Sequence, residues 1–296
     1  MSFELSLNTG TTPNLTLREA VRHTAEAGLG HIGLWRHIVA DAGGAQAAAR
    51  IVSDAGLRVS TLCRGGFLTS ADTAGQAAAL ESNREAIREA AALGTAELIM
   101  VVGGLPAAAH VLGGSGDRDD RDLPGARARV SDRLAELVPY ALEHGVRLVL
   151  EPLHPMYAAD RAVLSTLGQA LDMAAPHPAA AVGVVVDTFH VWWDPALRSQ
   201  VARAGAEGRL ASYQVCDFNL PIAPDALQSR GMMGDGYIDF APVSAWVAEA
   251  GYTGPVEVEI FNRKVNEQDA AVTLSTMKER YARLVLPALQ SASATV

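Results

Sequence analysis

Four polar residues stand where four apolar runs end in the second half of the chain. Arg147–Pro155, RLVLEPLHP, delivers Glu151 directly after Leu148-Val149-Leu150. VGVVVDTFH (Val182–His190) delivers Asp187, ASYQVCD (Ala211–Asp217) delivers Gln214, and PVEVEIF (Pro255–Phe261) delivers Glu259. An apolar strand that ends on an acid, with Pro152 stopping the ladder at once, puts that acid on the rim of a sheet. Ligands of parallel α/β sheets bind outside the carboxyl ends of the strands. Carboxylates in an apolar setting are costly unless a cation matches them, and three at one mouth repel. Glu151, Asp187, Gln214 and Glu259 therefore read as the ligand set of one divalent metal, with two of the acids moving protons on a sugar.

Each of these residues also has a plainer reading. Glu151 would serve as a rim acid paired with an arginine, Asp187 as the cap of the helix that opens at Thr188, and Gln214 as a bridge between strands. Glu257 shares a face with Glu259 at period two, so it reads either as a ligand or as a partner buried one layer down. The recurrence on four consecutive strands favours a site.

Further candidates surround these four. His190 lies three residues after Asp187 and His154 three after Glu151, an offset suited to orienting a substrate hydroxyl. Earlier strand ends present Asn8, Trp35-Arg36 and Arg64-Gly-Gly-Phe67, from which Trp35 and Arg64 join the substrate-binding set. Trp192 or Trp193 would supply an apolar wall. Arg230 heads a glycine-broken loop, RGMMGDG, and reads as a contact for a substrate oxygen or phosphate or for a ligand carboxylate, with a salt bridge to Asp217 or Asp235 as the alternative. His23, His31, His37, His110, His144 and His177 fall in helices, turns or loops and read as structural or solvated.

Eight short apolar runs position these residues: Glu4–Leu7, His31–Trp35, Val59–Cys63, Leu98–Val102, Arg147–Leu150, Val182–Val186, Ser212–Cys216 and Val256–Ile260. Helical spacing separates them. Thr16-Leu-Arg-Glu19 is a capping box. Leu134, Leu137, Val138, Ala141 and Leu142 make one face of a helix that stops at Gly145. Leu274, Met277, Tyr281 and Leu284 form the last face, with Pro287 near its end. Uninterrupted apolar strands alternating with helices indicate a parallel sheet covered on both sides. Eight units close into an α/β (β/α)8 TIM barrel, read as a single domain over 1–296. A doubly wound open sheet is the alternative, and no GxGxxG opens the first helix to support it. The long connection Gly103–Asp132, rich in Gly and Ala and then charged, reads as a lid or a disordered loop.

With a formal net charge of −9, the chain is unsuited to nucleic acid or to an anionic membrane surface. Cys63 and Cys216 make neither a disulfide framework nor a zinc motif. No signal peptide or membrane-length apolar run is seen, so a cytoplasmic location is expected.

Taken together, these motifs resemble the sugar phosphate isomerase/epimerase superfamily of xylose isomerase-like TIM barrels. Ketose 3-epimerases, inosose dehydratase, hydroxypyruvate isomerase and endonuclease IV-type nucleases belong to it. The resemblance rests on Glu151 in LVLEPLHP, Asp187 and His190 in VVVDTFH, QVCD in strand seven, Arg230 with GDG, and Glu259 in VEVEIF. It implies a metal held at the positions of Glu151, Asp187, Gln214 and Glu259, with His190 and Arg230 touching the substrate. Glu151 and Glu259 would then move a proton next to a sugar carbonyl through an enediolate. A lyase acting on a keto sugar or keto-inositol is the rival reaction, and a sugar-binding barrel without catalysis is a further alternative. The family has histidine where this chain has Gln214. An all-oxygen shell suits Mn²⁺ or Mg²⁺ better than Zn²⁺ or Co²⁺. The xylose isomerases proper have a lysine near the place of His154. The nuclease branch is disfavoured, since the extra histidines are not at strand ends. The resemblance also implies pairing into a homodimer or homotetramer.

Overall fold

The computed structural model describes residues 3–105 and 121–293. Eight parallel strands, β1 (Leu5–Asn8), β2 (His31–Trp35), β3 (Arg58–Gly66), β4 (Glu97–Val101), β5 (Arg147–Leu150), β6 (Val182–Asp187), β7 (Leu210–Gln214) and β10 (Val256–Val258), close into a barrel. They follow one another in chain order around the ring, and β10 closes it against β1. Between β7 and β10 a two-stranded antiparallel ribbon forms from β8 (Asp217–Phe218) and β9 (Arg230–Gly231). The barrel expected from the alternating pattern is thus the fold, and the open doubly wound sheet is not.

Local chemistry fixes the helices that surround it. Thr16 and Glu19 form the reciprocal capping box at the start of helix Leu17–Glu26. Helix Leu123–Glu143 buries Leu134, Leu137, Val138 and Ala141, ends at His144, and turns at Gly145 with φ +66°. This helix begins nine residues before Asp132, because Asp122 caps it by accepting the Gly125 N–H. The connection after β4 is correspondingly shorter than the sequence suggested. Most of the expected lid, with His110, lies outside the described residues. Pro287 ends nothing: it sits in the first turn of one more helix, Leu286–Ser293, where its missing N–H costs no bond.

The barrel interior has two chemical halves. Cys63, Ile99, Val149 and Val185, from β3 to β6, pack together as an apolar layer. On the side of β1, β7 and β10, and at the start of β3, the interior is polar and centred on Glu257. Its carboxylate accepts from Asn8 Nδ2 (2.7 Å), Ser60 Oγ (2.5 Å), Thr61 Oγ1 (2.9 Å) and Gln214 Nε2 (3.1 Å). Gly33 makes room for it, since a Cβ there would stand 2.4 Å from Glu257 Oε2. Four donors on one buried carboxylate satisfy it without a cation.

At the amino-terminal mouth a more open hollow of about 350 Å³ runs past His31, Arg58, Ser60, Thr95 and Glu97. Charged groups there pair off, with His31 Nδ1 2.9 Å from Glu4 and Arg147 Nε 3.9 Å from Glu97. Burial pushes the Glu97 carboxyl up from 4.5 to about 7, against the weaker pull of Arg147. The folded state therefore favours protonated Glu97, and that contribution is complete below about pH 4.5 and lost as pH rises through about 7. Glu97→Gln should flatten the fall in stability over this window, by no more than about 3 kcal/mol at the upper end. Urea unfolding at a series of pH values checks this, and an unaltered pH profile would contradict it.

Candidate active site at the carboxyl-terminal mouth

Strand ends and the loops after them bring the chemistry together at the opposite mouth. Glu151 follows β5, Asp187 is the last residue of β6, and Glu259 follows β10; all three are buried. Asp187 also begins the short helix Thr188–Val191 by accepting the Phe189 N–H (2.8 Å), so its capping and site roles coexist on different oxygens. That helix turns His190 back over the mouth. Ligand atoms of Glu151, Asp187 and His190 all lie within 4.8 Å of one another.

Arg230 arrives from β9. Asp217 anchors its loop by accepting from the backbone N–H groups of Gly234 (2.8 Å), Gly236 (2.9 Å) and Ile238 (3.0 Å). Asp235 pairs with Arg280 at 3.5 Å. Neither acid is therefore the partner of Arg230. Instead Arg230 Nη1 donates to Asp187 Oδ2 at 3.0 Å and lies 3.4 Å from Glu259 Oε2. Nη2 stands 2.9 Å from His190 Nε2. The guanidinium sits among the carboxylates.

Burial sets the electrostatics. It pushes the Glu151 carboxyl well up, helped by the neighbouring charges of Asp187 and Glu259, and raises Asp187 against the pull of Arg230. Glu259 is pushed up to about 7 for the same first reason. Burial opposes the charge on Arg230, yet Asp187 and the other acids outweigh it and hold the group firmly protonated. His190 is driven well below its ordinary range by burial and then by Arg230, which makes it a neutral imidazole. Its Nδ1 accepts the backbone N–H of His154 (3.1 Å), so its single proton belongs on Nε2. Nε2–H and Arg230 Nη2–H are then two donors aimed at one small volume, an arrangement that an oxygen of a ligand would complete.

Glu259 is held from the other side. Trp35 Nε1 donates to Glu259 Oε1 and to Asn8 Oδ1, both at 3.0 Å, while Asn8 Nδ2 reaches Glu257. The polar interior and the mouth are thus one hydrogen-bonded system. Gln214 belongs to it as well. Its Nε2 donates to Glu257, which leaves Oε1 buried with no hydrogen-bond partner among the described residues.

That unpartnered oxygen, with three desolvated carboxylates, fits a hard divalent cation, which prefers oxygen ligands. Glu151, Asp187, Glu259 and the Gln214 carbonyl could hold it, with the Lewis acidity that a bound cation supplies.

A cavity of about 450 Å³ opens above these groups. Glu151, Glu259, His190 and Arg230 line it, with Trp35, Arg64, Phe67 and Phe261 on its walls. Of the site candidates from the sequence, Trp35, Arg64, Glu151, His190, Arg230 and Glu259 line this cavity, whereas the side chains of Asp187, Gln214 and His154 do not. His154 instead stacks on Phe218 (5.4 Å between centroids) and meets Trp193 edge-on (5.8 Å), contributing through its backbone N–H. Trp192 also packs on Phe218, at 5.3 Å. Sequence reasoning missed Phe67, Arg161, Leu227 and Phe261 as lining residues. Phe261 was open to detection, two residues beyond Glu259; Arg161 and Leu227 lie in loops whose course no strand pattern reveals.

A family model described as xylose isomerase-like TIM barrel matches residues 21–280. The chain belongs to the xylose isomerase-like TIM-barrel family. Within this family, protein SMc04130 from Sinorhizobium meliloti is 41% identical, and 95% of this chain covers 98% of that one with a TM-score of 0.87. The IolI protein, solved with a zinc atom bound, is 19% identical with a TM-score of 0.81 over 96% of this chain and 99% of that one. An L-ribulose 3-epimerase is 18% identical with a TM-score of 0.75 over 99% and 98%. These two likenesses speak to the fold alone. A curated relative named inosose isomerase, from Halalkalibacterium halodurans, is 25% identical over 153 residues. The chain spans about half the length of that curated relative, 52% of it.

If Arg230 is what offsets the buried acids in the metal-free protein, Arg230→Met should lower metal-free stability by about 3 kcal/mol or more. Urea unfolding in the presence of a chelator measures this. An unchanged midpoint would mean that protons, and not the guanidinium, neutralise the acids.

Proposed function

We propose that this barrel is a divalent-metal-dependent sugar isomerase or epimerase that moves a proton on the carbon next to a carbonyl. One observation carries the reading: Glu151 and Glu259, set on β5 and β10 with β6 and β7 between them, line the same cavity. Two carboxyl groups approaching one substrate from different strands are what proton removal on one side and return on another requires. Burial raises both carboxyls when no ion is bound, and a cation held by them would draw both back toward the ionised form in which a base takes a proton.

The metal, when bound, supplies Lewis-acid polarisation of the carbonyl, which lowers the cost of removing the neighbouring proton. The residues of the chain do the rest. Glu151 or Glu259 takes the proton, and the other returns one. His190 Nε2–H and the Arg230 fork hold oxygen that gains charge as the proton leaves. Trp35 fixes Glu259 by its N–H and, with Phe67 and Phe261, gives the sugar ring an apolar wall while keeping water out. Mn²⁺ or Mg²⁺ is the preferred ion, because Gln214 offers an oxygen where a histidine nitrogen would favour Zn²⁺. The name of the curated relative, an inosose isomerase, supports the same reaction class.

Exchange of the substrate's α-proton with heavy water tests this on a panel of ketoses, aldoses and keto-inositols. The Mn²⁺-loaded protein should exchange with at least one of them. Chelation should abolish exchange, and Glu151→Gln and Glu259→Gln should each reduce net turnover by about a hundredfold or more. Full turnover by Glu259→Gln, or exchange that persists in chelator, would sink the reading.

A further inference from the structure

Arg64 is the charge at this mouth that the chemistry above leaves unused. It follows Cys63 near the end of β3 and lines the cavity. Its guanidinium lies 4.1 Å from the centre of the Phe67 ring and 5.7 Å from that of Trp35, so its flat faces are covered by aromatic surface. Among the described residues it makes no ion pair and no hydrogen bond through its fork. Burial pulls the group below its ordinary range, and repulsion from Arg161 adds to this. Arg161 lines the same cavity from the loop after β5. It is ion-paired with Asp160 and Asp225, each at 3.5 Å, while its Nε is buried without a hydrogen-bond partner among the described residues.

Two guanidinium groups line one cavity, each with donors unspent, and such a lining favours an anionic occupant over a neutral one. An arginine fork matches the paired oxygens of a carboxylate or phosphate, and such charge-assisted bonds are about twice as strong as neutral ones. Glu259 is engaged by Arg230 and Trp35, and Glu151 attracts Arg64 through space without forming an ion pair or hydrogen bond with it among the described residues.

We infer that the substrate of this site carries an oxyanion, a carboxylate or a phosphate, seated between Arg64 and Arg161. This rests on the proposed reading only in placing the carbonyl end of the same molecule at Glu151 and Glu259. The substrate class is then an acidic sugar or cyclitol, with the anionic group on the β3 side of the cavity and the reacting carbon on the β5 and β10 side. Arg64 selects for the acid, and the aromatic rings of Phe67 and Trp35 hold its fork in place.

Calorimetric binding of D-fructose, D-fructuronate and D-fructose 6-phosphate to the full chain tests the inference with compounds that share a ketose skeleton. At least one of the two anions should bind ten-fold or more tightly than D-fructose, and the winner identifies carboxylate or phosphate as the source. In Arg64→Met that preference should shrink about ten-fold. Arg64→Lys, which keeps a charged stem but loses the fork, should shrink it as well and guards against misfolding of the first variant. Equal or tighter binding of D-fructose, no binding of either anion, or a preference that survives in both variants would overturn the inference. Binding is read without turnover. A protein that prefers the acid yet exchanges no α-proton would keep this inference and refute the reaction class.

Discussion

Negative charge taken out of water at the barrel mouth is the constraint that organises the rest. Glu151 and Asp187 offer oxygens within 4.8 Å of each other and of His190, and Glu259 completes the ring through Arg230. Unit charges at about 4 Å repel by roughly 4 kcal/mol at an effective dielectric constant of 20. Such a cluster survives only with positive charge in its midst. Arg230 supplies one such charge, and its placement explains why the long loop after β7 is so heavily anchored. Asp217 gathers the N–H groups of that loop, and Asn262 Nδ2 holds the Arg230 carbonyl at 2.7 Å.

Beneath the mouth lies a second carboxylate of a different character. Glu257 is satisfied by neutral donors from four directions, and each of those donors has a further task. Asn8 steadies Trp35, and Trp35 steadies Glu259. Gln214 spends its amide N–H groups downward, so its carbonyl is oriented by default. Support of this kind fixes the ligand residues before any ligand arrives, which is how a site keeps sub-ångström geometry. It also accounts for Gly33: the buried acid needs the volume that a side chain on β2 would occupy.

Much of this was legible in the chain itself. The eight apolar runs matched the barrel strands to within three residues, because strands buried on both faces are predominantly apolar. Glu151, Asp187 and Glu259 stood out because an acid directly after such a run has nowhere to go but the rim. Glu257 was visible as a period-two companion, though only the structure distinguishes a partner one layer down from a ligand. That Arg230 meets a carboxylate of the mouth was legible from its place after β7, but which of them it meets was not, since the course of a glycine-broken loop depends on distant hydrogen bonds. His154 misled by its offset: three residues after a strand end carried His190 over the mouth on a helical turn, but carried His154 against Phe218. Arg161 gave no signal, being one arginine in a loop of small residues.

We propose that the acids at the mouth, together with the Gln214 carbonyl, hold one divalent ion. Titration of the chelator-treated protein with Mn²⁺, read by electron paramagnetic resonance of the free ion, addresses it directly. The account predicts saturable binding of one ion per chain, lost in Asp187→Asn and weakened in Gln214→Leu. Absence of saturable binding, or binding that neither substitution alters, would contradict it.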